Sequence, residues 1–234
     1  MTAERSAPVP AEDTFPIARS SLAASVADHL RAMIVQGTLP PGTRVQVAAL
    51  AASLAVSATP VREALIILAE DRLVELLPNR GARVLPYTAD EALALFEVMA
   101  ALEALAARLA TMRMHAEDCD ELERRHAAMV AHHRRRERQA YFAVNNEIHA
   151  AVLTLSGNPD LVATHARLEL RGRRGRYNAI VDDARWDQAM HEHALLMEAM
   201  RCRDAEAAAS IWQTHVTNTG LAVAHALHRA LDPA

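Results

Sequence analysis

Twelve histidines, 25 arginines and no lysine set the chemistry open to this 234-residue chain. Asn145 and His149 stand four apart, so on a helix their side chains share one face, about 5–6 Å apart at Cβ. That is close enough to share a divalent cation. His191-Glu192-His193 is not an HExxH pattern, and residues two apart on a helix point in different directions. His132-His133, His165, His225 and His228 read as solvated surface side chains. Cys119 and Cys202 have no CxxC partner, which argues against a cysteine metal site and suits a reducing cytoplasm. A second chemistry lies in Ser57-Ala58-Thr59-Pro60-Val61-Arg62. Hydroxyls and N–H groups at a helix start grip phosphate. Two arginine runs remain. Arg134-Arg135-Arg136 with Arg138 reads as a solvated helix end that complements the helix dipole. Arg171-Gly172-Arg173-Arg174-Gly175-Arg176 could either grip a carboxylate through its guanidinium groups or form a solvated basic face on a helix loosened by two glycines.

These residues need elements to carry them. Hydrophobic residues at 51% and charged residues at 23% exclude wholesale disorder. Aromatics at 3% leave the core to Ala, Leu, Val and Met, and seven glycines among long Ala/Leu stretches favour helices. Residues 1–16, rich in Pro, Ala and charge, read as a flexible tail. They lack the pattern of a secretory signal, and no run approaches the ~18 apolar residues of a membrane span. Leu22, Val26, Leu30 and Met33-Ile34 have helical spacing, and Gly37 with Pro40-Pro41-Gly42 ends that helix. A short helix follows over Val47–Leu54, then one capped by Ser57 with Pro60 in its first turn. Strand-like runs at 73–77 and 82–85 flank the turn Pro78-Asn79-Arg80-Gly81. Helix, short helix, helix, hairpin is the order of a winged helix-turn-helix. From Ala89 onward the pattern is helical, with spans 89–112, 116–137, 139–156, 159–180, 184–201 and 204–231. The expected fold is therefore mainly α: a tail at 1–16, a winged helix-turn-helix at 17–87 and an antiparallel all-α bundle at 88–234. Net charge is −4 overall, yet 17–87 is +2 and 88–234 is −4, which suggests two kinds of partner. Scarce aromatics leave little for stacking on single strands.

The segment Ser57-Ala58-Thr59-Pro60-Val61-Arg62-Glu63-Ala64-Leu65 resembles the SRTPVREAL signature of the GntR family of bacterial transcription regulators. Gly37 with Leu39-Pro40-Pro41-Gly42, and Pro78-Asn79-Arg80-Gly81-Ala82-Arg83-Val84 as wing, match in register over about residues 20–86. The rear stretch Tyr141-Phe142 … Asn145 … Ile148-His149 … Ser156-Gly157-Asn158 is similar to the FCD domain of the family's FadR subgroup, as are Glu192-His193 to Met200 and Asp204-Ala205 … His215. The resemblance implies that Arg62 reads bases, that Ser57 and Thr59 hold phosphate, and that Asn79, Arg80 and Gly81 approach the minor groove. Ala48 and Ala58 replace arginines common in the family, and Ala55 replaces the usual turn glycine.

For the bundle, the resemblance implies a divalent metal held by Asn145, His149, His193 and His215. Three neutral imidazoles and one oxygen suit Zn²⁺ or Ni²⁺ and leave open positions for a carboxylate ligand. The uncharged amide of Asn145 offsets less of the metal charge than an aspartate would. Met99 stands where the family commonly has an effector-binding arginine, so Arg171 and Arg174 are the candidate substitutes. The implied protein is a cytoplasmic homodimeric regulator, a repressor by the family's commoner habit. It would bind a palindromic double-stranded operator and respond to an organic or sugar acid. Two other classes compete: a metal-dependent hydrolase using the histidines, which lacks an evident general base, and a helical adaptor whose winged part no longer reads DNA.

Overall fold

The computed structural model describes residues 22–35, 37–78, 80–179 and 182–231; the tail 1–16 and Asn79 lie outside them. The front part holds α1 (Leu22–Val35), β1 (Arg44–Val45), α2 (Val47–Ser53), α3 (Ala58–Glu70), β2 (Val74–Leu77) and β3 (Gly81–Val84). Leu30, Ile34, Val61, Leu65, Leu68 and Val84 bury their side chains together, so one stripe each of α1 and α3 meets the inner face of the sheet. The helix α3 turns 114° from α2, within the range of helix-turn-helix units.

The sheet order is β1-β3-β2, antiparallel throughout. The two-residue β1 was absent from the sequence reading, since it is too short to show alternation. Gly81 opens β3 at φ +83, and a Cβ there would lie 2.1 Å from the carbonyl oxygen of Val45. Only glycine allows the wing to return so close to β1. Between α2 and α3, Ala55 takes φ +54, a left-handed conformation that disfavours an L side chain.

Among the described residues six helices follow: α4 (Ala89–Arg113), α5 (Ala116–Arg134), α6 (Arg138–Leu155), α7 (Pro159–Ala179), α8 (Asp183–Arg201) and α9 (Ala205–Leu231). Thr88 and Glu91 form a capping box at the start of α4. Gly157 at φ +60 ends α6, and Asn158 Oδ1 accepts from Leu161 N in the first turn of α7. The helix α7 runs unbroken through Gly172 and Gly175, so the glycines do not interrupt it. Gly172 instead lets α7 approach α4, because a Cβ there would sit 3.1 Å from Met99 Sδ. Gly220 does the same for α9, where a Cβ would come within 2.5 Å of Phe96 Cβ. Trp186, Trp212, Tyr141, Ile148 and Leu196 form the main rear core.

The Arg134–Arg138 stretch is less idle than its sequence suggested. Arg138 and Arg136 both pair with Asp183 across the bundle, and both guanidinium groups lie over the Trp186 ring, at 4.3 and 5.4 Å from its centre. No single described helix is long and apolar enough to cross a membrane.

Candidate functional site

The first turn of α3 faces outward. Ser57 sits at the N-cap position, but its hydroxyl makes no capping bond, and Ser57, Thr59 and Arg62 are exposed. Val61, Leu65 and Leu68 on the opposite side anchor the helix, so the exposed face is held rigidly. Asp71, just past the end of α3, pairs with Arg31 at 2.7 Å. Arg62 and Arg80 form no ion pair among the described residues. Both line a groove of about 800 Å³ between α3 and the wing, together with Arg44, Gln46, Ala58 and Gly81. Unpaired guanidinium groups beside free N–H groups at a helix start suit a polyanionic duplex.

The second cluster lies inside the bundle. His149 comes from α6, His193 from α8 and His215 from α9, and one ring nitrogen of each lies within 4.8 Å of the others. All three are buried. Trp212, one turn before His215, stacks on that ring at 4.7 Å and 11° and also lies 4.4 Å from the His149 ring, so the cluster has a rigid aromatic wall. Asn145, one turn before His149 on α6, is buried and makes no hydrogen bond among the described residues.

Carboxylates hold two of the rings from behind. Glu192 Oε2 accepts from His215 Nδ1 at 2.7 Å and from Arg185 Nη1 at 2.8 Å, while its other oxygen accepts from Asn218 at 2.7 Å. Burial pushes the Glu192 carboxyl up, yet the bonds from His215 and Arg185 hold it down at about 2. An ionised carboxylate only accepts, so Nδ1 of His215 carries the proton and Nε2 keeps its lone pair. Glu103, fully buried on α4, pairs with His149 Nδ1 and, at 2.9 Å, with His165 Nε2. His165 is therefore a buried partner and not a surface residue. Burial lowers His215 to about 4 and His193 well below the ordinary histidine range, with the neighbouring imidazoles adding to the effect.

His193 stands apart. Both of its ring nitrogens are buried without a hydrogen-bond partner. An unpaired buried polar group is unfavourable by about 1–3 kcal/mol, so a neutral imidazole of this kind suits a metal ion that accepts its lone pair. The donor set and its carboxylate backing fit a divalent cation. His126 on α5 carries another buried, unpartnered nitrogen, and burial lowers its pKa. Of the candidate effector cations, Arg171 is half-buried on α7, and the side chain of Arg174 lies outside the described residues. The buried cation nearest the histidines is Arg185, whose Nη2 also donates to the His215 carbonyl at 3.0 Å and to Thr219 at 2.9 Å. Sequence reasoning missed Arg185, Glu103, Glu192 and Trp212. Trp212 had one signal, its spacing of three from His215.

An exposed winged helix joined to a helical bundle is the architecture of a DNA-binding transcription regulator. Residues 22–84 match the model of the bacterial regulatory proteins of the gntR family, and residues 94–218 match the FCD domain. The chain thus belongs to the GntR family of transcriptional regulators, in the group that carries an FCD domain; it is a regulator and not an enzyme. It is 29% identical over 209 residues to a probable D-xylose utilization operon transcriptional repressor of Paenarthrobacter nicotinovorans, covering 89% of this chain and 92% of that one. It is 36% identical over 87 residues to a gluconate operon transcriptional repressor of Bacillus licheniformis, covering 37% and 35% of the two chains. Among solved structures, E. coli McbR/YncC superposes with a TM-score of 0.70 at 22% identity, covering 91% of this chain and 99% of that one. A putative GntR regulator from Rhodococcus sp. RHA1 gives 0.66 at 23% identity, covering 87% and 97%. At these identities the two structures speak for the fold alone.

Proposed function

We propose that this chain is a metal-containing, effector-responsive repressor that binds a palindromic double-stranded operator as a homodimer. Residues 17–87 form the reading unit and 88–234 the sensing and dimerising unit, behind a tail at 1–16. Ser57 and Thr59 hold phosphate, Arg62 reads bases, and Asn79, Arg80 and Gly81 approach the minor groove. The dimer follows from half-site logic, since a palindrome is read by two symmetric copies. Two free cysteines are consistent with a reducing cytoplasmic setting.

His149, His193 and His215 hold the metal, with Asn145 as oxygen donor; Zn²⁺ or Ni²⁺ suits this set. When bound, such a cation supplies open coordination positions for a carboxylate. Glu103 and Glu192 orient the rings of His149 and His215 and offset the charge that Asn145 leaves uncompensated. Arg171 and Arg174 on α7 are the candidate cations for the effector carboxylate in this reading. Relatives named for D-xylose and gluconate operons favour a sugar or sugar acid as the effector.

The observation that carries the metal reading is His193, with both nitrogens unpartnered inside a three-histidine cluster. Metal analysis of the purified protein tests it. The wild type is expected to hold about one equivalent of Zn²⁺ or Ni²⁺ per chain, and His193→Ala much less. Equal metal content in the two proteins overturns the assignment.

A further inference from the structure

The charges across the wing sheet leave one cation unaccounted for. Arg44 on β1 is directly opposite Arg83 on β3, and Arg83 is directly opposite Glu75 on β2. Directly paired residues project from the same face of a sheet, so these three form one row. Burial agrees, since Val45, Ala82, Val84 and Val74 beside them are buried while Arg44 and Arg83 are exposed. Within the row, Arg83 reaches Glu75 at 3.1 Å. Arg44 pairs with no carboxylate among the described residues and faces a like charge. Like charges directly opposite are destabilising in a sheet, so no partner among the described residues accounts for a cation at this position.

Its surroundings supply an account. Arg44 lines the same groove as Arg62 from α3 and Arg80 from the wing, and neither of those forms an ion pair among the described residues. Ala48 and Ala58, on the same groove, bring no charge. Three unneutralised guanidinium groups thus come from three different elements around one concave surface of about 800 Å³. Resting on the operator-binding reading above, we propose that Arg44 is a DNA-contacting residue, a phosphate anchor that works with Arg62 and Arg80 and positions the reading helix against the duplex. A phosphate oxygen would neutralise Arg44 and remove its repulsion from Arg83 at the same time. The contact fixes position and carries no base preference of its own.

The test uses the full-length protein on two duplexes of equal length, one selected by the wild type from a randomised pool and one unrelated. Affinity is followed by fluorescence anisotropy as salt rises from about 50 to 200 mM, where each phosphate contact adds about 0.9 to the log–log slope. Arg44→Ala is expected to lower the slope by about that amount per bound chain and to weaken both duplexes by a similar factor. Arg44→Lys should restore the slope, because a point charge suffices for phosphate. Arg83→Ala, which removes an arginine already held by Glu75, should change the slope far less. Melting of Arg44→Ala should be no lower than the wild type, since a repulsion is removed. An unchanged slope in Arg44→Ala overturns the proposal, and so does an equal loss in Arg83→Ala, which would show only the general charge of the wing.

Discussion

At the scale of single residues, the imidazole cluster depends on carboxylates that lie far away in the chain. Glu103 is 46 residues from His149 and 62 from His165, and Glu192 is 23 from His215. Such a pairing has no local period. This is why the spacing of Asn145 and His149 was legible in the sequence, while the groups that orient the rings, and the buried Arg185, were not. Partners of this kind commonly contribute 10- to 100-fold to metal affinity. Glu103→Gln is therefore expected to weaken Zn²⁺ or Ni²⁺ binding by about that factor in a chelator competition; unchanged affinity would reduce Glu103 to a packing role. The same burial sets a pH dependence for the metal-free protein. His215 is held at about 4 against an ordinary 6.5, so between those values the unfolded chain binds a proton that the folded chain refuses. Stability thus falls as pH drops from 6.5 to 4, by at most about 3 kcal/mol for this group, and His193 acts in the same direction. Glu192, held at about 2 against 4.5, adds a further loss below pH 4.5. The melting temperature of chelator-treated protein should be clearly lower at pH 5 than at pH 7, and less so in His215→Gln. A flat profile contradicts the buried, neutral imidazole.

At the scale of elements, the helices were readable because each carries its own stripe and stop signals. The six rear spans agree with the observed helices to within three residues at every end. The strand β1 was not readable, because two residues carry no alternation and β1 exists only through its bonds to β3. Two backbone sites between elements can be tested. Ala55 holds φ +54 where an L residue is disfavoured by about 1–2 kcal/mol, while glycine loses about 0.5–1 kcal/mol more chain entropy on folding. Ala55→Gly should therefore stabilise the winged part by up to about 1 kcal/mol, seen as a rise of a few degrees in its melting temperature, with DNA affinity unchanged. Gly81 is the converse case. Alanine there meets the Val45 carbonyl oxygen at 2.1 Å and a φ of +83. Gly81→Ala should destabilise by about 1–3 kcal/mol from the backbone alone and weaken operator binding, because the wing must move off β1. Denaturant unfolding together with anisotropy separates the two effects.

At the scale of the whole molecule, the charge split between a mildly basic front and an acidic rear points to two kinds of partner. The sequence could not show how a ligand in one part would alter the other. A ligand shifts an equilibrium only by the difference in its affinity for the two states. If the metal-loaded bundle binds a sugar acid more tightly when the protein is off DNA, operator affinity must fall by the same factor that operator DNA imposes on the sugar acid. Coupling energies of this type usually correspond to about 5- to 150-fold. With D-gluconate and other sugar acids as probes, saturation of the metal-loaded wild type should weaken binding to the selected operator by a factor in that range. Titration of the ligand in the presence of operator should show the same factor in reverse. His193→Ala should bind operator normally and respond to none of the acids, because Arg62, Arg80 and the first turn of α3 are untouched while the metal is lost. A wild type that holds its metal yet shows no shift with any sugar acid would leave the DNA reader standing and remove this class of effector. A wild type that shifts fully after metal removal would place the sensing chemistry away from His149, His193 and His215.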